Sequence, residues 1–332
     1  MQVNTQPADS GIPAPGRMED LKKLIAGRPE LTLNMEGETP VLGMEGFGFP
    51  GIRAGFSTRL GGVSEGKYSF LNLAFRLEDK EENVLENYRR FCGALGVDYR
   101  RVSCPDQVHK TEILVAREAD AGDGILREKS HVEIDAQITN VPELPLIVFA
   151  ADCVPILFAD PVRRAIGTAH AGWRGTVAGI AAKTVRKMTE VYGSDPGDIR
   201  VMIGPSAGPE GYEVDESTAA EVRKCLSLLA KEAGETAAPS GGVGETADPS
   251  GEAKQDIVQT ADQEQILRPS EREDHWYLDL WTLNRVILRS AGVRDENIFC
   301  MELSTLEYPE FFFSHRRSAG RRGLNAGVIA LT

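Results

Sequence analysis

The chain has 332 residues, of which 41% are hydrophobic, and 50 acidic against 37 basic side chains leave it a net charge of −13. The apolar share is enough for a sizeable core, and the acidic balance argues against a nucleic-acid binder, which carries a basic patch or stripe. Five cysteines, widely spread and without a C-x-x-C pair, exclude a disulfide framework and point to a reducing compartment, so the expected location is the cytoplasm.

Residues 1–17 contain Pro7, Pro13 and Pro15. They lack the basic start and apolar stretch of a secretory signal, and read as a disordered tail. Next comes Phe56-Ser57-Thr58-Arg59-Leu60-Gly61-Gly62-Val63-Ser64, then Leu71-Asn72-Leu73. The glycine pair permits a tight turn, and Arg59, Ser64 and Asn72 offer groups suited to a sugar or phosphate. A hairpin turn with a solvated arginine satisfies the same pattern. Val84–Leu95 is expected to be a helix. Gln107-Val108-His109 leads into a short apolar strand over Ile113–Ala116.

Leu144–Ala151 and Val154–Ala159 are short apolar runs of buried strands, and Pro155 predicts an edge or a bulge in the second. No apolar run is long enough to span a membrane. Ala165–Ala169 is another strand. From Thr176 to Tyr192, Val177, Ile180, Ala181, Val185, Met188 and Val191 recur at helical spacing, and Gly193 stops the helix. Strands follow at Arg200–Ile203, Ile298–Glu302 and Gly327–Leu331, with a helix at Leu280–Ala291.

Between them the character changes. Gly234–Gly241 recurs as Gly244–Gly251 in a stretch nearly free of large apolar residues. Such sequence cannot bury enough surface to offset its ordering entropy, so about 232–265 reads as a flexible insertion. The segment after it is too short for its own core. One catalytic domain over 18–332 is therefore expected. Strands joined by only a few residues make the fold α/β with mixed rather than purely parallel sheets.

The densest chemistry is Ala151-Asp152-Cys153 followed by Thr168-Ala169-His170-Ala171-Gly172-Trp173-Arg174-Gly175. Cys153 falls at the break between two strands and His170 at the end of a third, where α/β folds build their sites. A thiolate and an imidazole there could meet one ion, with Asp152 as an orienting partner. The competing reading is a buried structural cysteine beside an unrelated histidine. His109 is the candidate third ligand. His₂Cys with a vacant fourth position is the pattern of catalytic zinc. A trigonal His₂Cys set also holds copper, and the ligands alone do not choose. Several coppers would need more imidazoles than the five present. Arg174, opening the helix after His170, could hold an anion with the helix N-terminus. His315-Arg316-Arg317 with Gly320-Arg321-Arg322 offers a second anion clamp or a plain surface charge run. The P-loop, the G-x-S-x-G elbow, H-E-x-x-H and the H-x-E…P-C-x-x-C deaminase signature are all missing.

In order, Arg59–Ser64, Asn72, Gln107–His109, Asp135-Ala136-Gln137, Ala151–Cys153, His170–Gly175, Ile203-Gly204-Pro205 and Phe312–Arg317 resemble the purine nucleoside phosphorylase and peptidoglycan editing factor family. That family was formerly described as multicopper polyphenol oxidase or laccase-domain. The likeness runs from about Phe49 to Leu331, apart from the insertion. It implies a four-layer α/β/β/α sandwich and zinc on His109, Cys153 and His170. It implies phosphorolysis of adenosine, inosine, guanosine and methylthioadenosine, together with adenosine deamination. A link to correcting cell-wall precursors, or a copper-dependent phenol oxidase, is the alternative. Under this reading Asp135 or Asp152 moves the proton in deamination, and Arg59 and Arg174 hold phosphate. Ser64, Asn72, Gln107 and Arg316 complete the substrate contacts. The partners are small molecules, and the assembly is a monomer or homodimer. The sequence departs from the family pattern at Phe75–Asp79, at Leu303-Ser304-Thr305, and at His315 in place of a tyrosine, which bears on substrate preference.

Overall fold

The computed structural model describes residues 14–75, 77–236 and 264–332. Two sheets stack face to face. The first has five antiparallel strands: β1 (Leu31–Glu36), β2 (Thr39–Met44), β3 (Ile52–Ser57), β14 (Asn325–Leu331) and β6 (Leu146–Ala150), in that spatial order. The second is mixed. It runs β13 (Ile298–Cys300), β9 (Arg200–Ile203), β7 (Val154–Asp160), β8 (Ala165–Ala171), β5 (Ala136–Thr139), β4 (Ile113–Val115), with parallel pairs only at its two edges. A small antiparallel sheet joins β10 (Glu213–Asp215), β12 (His275–Leu278) and β11 (Leu267–Pro269).

Helices cover both outer faces. Helix α2 (Glu81–Leu95) lies on the first sheet, and α3 (Trp173–Val177), α4 (Ile180–Tyr192), α5 (Glu216–Thr236) and α6 (Leu280–Ser290) cover the second. A short α1 (Met18–Ala26) packs beside β1. The result is the expected four-layer α/β/β/α sandwich in one domain.

The strands read as continuous apolar runs because both faces are covered. Along β7, Val154, Ile156 and Phe158 face the helices, while Leu157 and Ala159 face the other sheet. In β6, Leu146 and Val148 point between the sheets, and Ile147 and Phe149 point to α2. Period-2 alternation thus sorts one strand's side chains into two cores. In α2, Val84, Tyr88, Phe91, Cys92 and Leu95 form the buried stripe, and Gly96 ends the helix at φ 71°.

The structure corrects four local expectations. Pro155 is in an interior strand, not at an edge. It sits near the strand's start, opposite His170, and pairing to β9 begins one residue later at Ile156, so no N–H is needed there. The helix expected over Thr176–Tyr192 is two: a single turn ends at Val177, Gly179 takes φ 76°, and α4 starts at Ile180. The expected tail ends earlier than 17, because the Gly16 amide donates to the Glu310 carbonyl; residues 1–13 of it lie outside the described residues. Helix α5 continues to Thr236, past the expected boundary at 232, and Ile266 and Leu267 are already buried. The remainder of the expected insertion, 237–263, lies outside the described residues. No helix among the described residues is long and apolar enough to cross a membrane.

Candidate metal centre and its cavity

Asp135 organises the site. Its buried carboxylate sits at the start of β5 and accepts four hydrogen bonds. Oδ1 takes the His109 amide at 2.9 Å and the His170 Nδ1–H at 2.8 Å, while Oδ2 takes the Val108 and Lys110 amides at 3.1 and 2.8 Å. Three successive N–H groups thus wrap one carboxylate. This holds His109 at φ 65°, a backbone state uncommon outside glycine. With Nδ1 of His170 committed to Asp135, its Nε2 is left for an ion, as in carboxylate–histidine–metal pairs.

Cys153 is presented by the bend between β6 and β7. Asp152, just before it, takes φ 90°. Its Oδ1 accepts from the Thr305 hydroxyl and its Oδ2 from the Arg316 amide, both at 2.7 Å. Backbone outliers held this way cluster at functional sites.

The three donors converge. Cys153 Sγ is 3.7 Å from His109 Nε2, and the three ligand atoms all lie within 4.8 Å of one another. Gly172 makes the room: a Cβ there would stand 2.9 Å from Cys153 Sγ and 3.0 Å from His109 Cδ2. Burial alone would raise the Cys153 thiol; the charge of His170 and the hydrogen bonds from both histidines outweigh it and hold the thiol at about 6. Burial likewise lowers His170, but the Cys153 thiolate and Asp135 raise it to about 9. A thiolate beside two imidazoles, one oriented by a carboxylate, is a donor set that fits a divalent cation of zinc or copper type. Among the described residues, this is the one group of three or more such donors in reach of a single ion. All five histidines of the chain are described, so the residues fit one ion rather than several.

The cluster opens into a cavity of about 860 Å³, within the size range of small-molecule sites. Four aromatic residues line it (Phe75, Phe149, Trp173 and Tyr212), as do the cations Lys129, Arg174, Arg316 and Arg322. Lys129 is paired with Asp106 at 3.3 Å. Arg174 is exposed, with its guanidinium 4.2 Å from the centre of the Trp173 ring. Arg316 lies 4.6 Å over the Tyr212 ring and donates to the Glu213 carbonyl.

Several expected site residues play other parts. Gln107 lines the cavity, but its amide is spent on the backbone of Phe149, at 2.8 and 2.9 Å. Arg59, Ser64 and Asn72 do not line it. Buried Arg59 donates to the Ser69 and Pro309 carbonyls and stacks 4.8 Å over Phe313, tying the Gly61-Gly62 turn to the segment before His315. Ser64 and Asn72 both donate to Asp79, at 2.7 and 2.8 Å, and Asn87 donates to Ser64. In these three, most of the polar groups are spent on contacts within the fold that hold loops together. Asp135 likewise does not line the cavity, and both of its oxygens accept two hydrogen bonds. The anion role expected of Arg174 loses its helix: α3 is one turn, too short for an appreciable dipole. Sequence reading missed Trp173, although it stands three residues from His170, and Lys129, and it noted Phe75 only as part of a departure from the family pattern. It also missed Tyr212, which sits on a loop with no periodic signal.

The α/β/β/α sandwich carries, among the described residues, one His₂Cys cluster that could hold a metal ion, at strand ends and opening on an aromatic and cationic cavity. The chain belongs to the family described as multi-copper polyphenol oxidoreductase laccase, whose model matches residues 53–241 and 243–332. It is 31% identical over 281 residues to a protein of Bacillus subtilis named purine nucleoside phosphorylase YlmD, covering 84% of this chain and 88% of that one. It is 34% identical over 279 residues to a purine nucleoside phosphorylase of Deinococcus radiodurans, covering 83% and 88%. Among solved structures, YlmD from Geobacillus stearothermophilus superposes with a TM-score of 0.73 at 30% identity, over 90% of this chain and 98% of that one.

Proposed function

We propose that the chain is a zinc-dependent purine nucleoside phosphorylase that also deaminates adenosine, acting on adenosine, inosine, guanosine and methylthioadenosine. The observation that carries this reading is the joining of a His₂Cys cluster to a cavity offering both aromatic faces and arginines. A purine needs the first and an oxyanion the second. The names of the similar bacterial proteins support it.

In phosphorolysis a phosphate oxygen bonds to C1′, the C1′–N9 bond breaks, and the purine leaves with the electron pair and takes up a proton. Arginine guanidinium groups lining the cavity carry the phosphate charge, which keeps the nucleophile beside C1′. Zinc, when bound by His109, Cys153 and His170, supplies a Lewis acid and lowers the pKa of coordinated water to roughly 7. For deamination, water adds at C6 and ammonia departs. Asp152, the carboxylate lining the cavity beside Cys153, is assigned the proton transfer.

The test is incubation of adenosine with phosphate and the zinc-loaded protein, read for adenine, ribose 1-phosphate and inosine. Formation of none of these, with Cys153→Ala indistinguishable from wild type, would refute the proposal. The family description motivates a parallel arm: oxygen uptake on phenols after copper loading. Uptake there without nucleoside turnover would favour the oxidase reading.

A further inference from the structure

Arg322 is a cavity cation without an assigned purpose. Its Nε is shielded from solvent and has no hydrogen-bond partner. Among the described residues it forms no ion pair, and its Nη2 lies 3.3 Å from Nδ1 of His315. A guanidinium only donates, so Nδ1 of His315 must accept. The ring therefore carries its proton on Nε2, which makes it a neutral donor. Burial, and after it the Arg322 charge, lower the His315 pKa and keep the ring neutral.

The surrounding backbone holds Arg322 in place. Gly320 takes φ 84°. A Cβ at Gly323 would come within 2.8 Å of both Asn72 Oδ1 and the Phe313 ring. Asn72 Oδ1 also accepts the Leu324 amide at 3.1 Å. The backbone on either side of Arg322 is thus fixed, while one donor of its guanidinium goes unanswered. A buried donor left unmade is costly, and although the Asp152 carboxylate and the Cys153 thiolate act on the Arg322 charge, burial outweighs them. An arrangement of this kind is stabilised when an anion supplies the missing acceptor. Arg316 adds a second guanidinium at the same cavity, aligned on Tyr212 with one donor committed to Glu213.

We infer that Arg322, with Arg316 and the Nε2–H of His315, forms a subsite for inorganic phosphate. The ligand class is a tetrahedral oxyanion, whose oxygens match the forked donors of arginine. The assignment of this phosphate as the attacking group rests on the phosphorylase reading; its binding does not. Arg174 is left outside the subsite: both arginines lie over an aromatic ring, but only Arg316 is also tied down by a hydrogen bond, to the Glu213 carbonyl.

Titration calorimetry of inorganic phosphate into the full-length zinc-loaded protein tests binding. Arg322→Met should weaken phosphate at least tenfold, and Arg321→Met, an exposed neighbour, should leave it unchanged. Kinetically, Arg322→Met should raise the phosphate KM at least tenfold, with a circular dichroism spectrum matching the wild type. His315→Phe and Arg316→Met alter exposed side chains and guard against a misfolded Arg322 variant; each should weaken phosphate at least threefold. Wild-type affinity in Arg322→Met, or in both guard variants, overturns the subsite. If phosphate binds and Arg322→Met abolishes binding but no ribose 1-phosphate ever forms, the subsite stands and the phosphorylase reading fails. If phosphorolysis proceeds and Arg322→Met leaves the phosphate KM unchanged, the reverse holds.

Discussion

Asp135→Asn separates a positioning carboxylate from a proton carrier. In the native protein each oxygen of Asp135 accepts two hydrogen bonds. An asparagine keeps one oxygen and presents an NH₂ group in place of the other. Whichever way it turns, two N–H donors then face a donor. At about 1–3 kcal/mol for each stranded donor the cost is about 2–6 kcal/mol, and partial exposure of the 108–110 loop places it in the lower half of that range. Loss of the carboxylate charge also weakens the hold on the ring of His170, and changes of this kind lower metal affinity about 10–100-fold. Denaturant unfolding of the metal-free variant measures the first effect, and zinc competition with a chromogenic chelator measures the second. A variant with wild-type stability and wild-type zinc affinity but no turnover would refute the positioning role, and would make Asp135 the proton carrier instead.

Three further outcomes follow from the same geometry. His109→Ala, Cys153→Ala and His170→Ala should each reduce zinc bound per chain in metal analysis. His131→Ala should not, because His131 pairs with Asp120 at 2.9 Å, outside the cluster. Gly172→Ala places a methyl group against Cys153 and His109, so zinc affinity should fall at least about tenfold, by analogy with altered ligand positioning, with the circular dichroism spectrum retained; undiminished affinity would show that the gap is not needed. Asn72→Ala removes contacts to Asp79, Ala74 and Leu324 and should destabilise the fold by about 1–3 kcal/mol in denaturant titration. An increase in nucleoside KM at unchanged stability would instead return Asn72 to the substrate.

The sequence by itself determined the apolar strands, the cores they supply and two of the ligands. Val154–Ala159 and Arg200–Ile203 are recognisable because strands buried on both faces must be apolar throughout, and this property is local. Cys153 and His170 were legible for a related reason: each stands where an apolar run stops, and a strand end is a place for a site. His109, leading into a strand, was a candidate third ligand, and the family resemblance singled it out. Tertiary structure decided what each polar residue does. Arg59, Asn72 and Asp135 are residue types that bind substrates or move protons equally well. Only the distances show that their donors and acceptors are consumed by Pro309, Leu324 and the 108–110 amides. Arg322 went the other way: within a run of surface arginines it carried no distinction, and packing turned it inward with a donor unanswered. A hydrogen-bonding group acquires its role from whichever partner reaches it first, and partners 26 or 252 residues away leave no local trace in the chain.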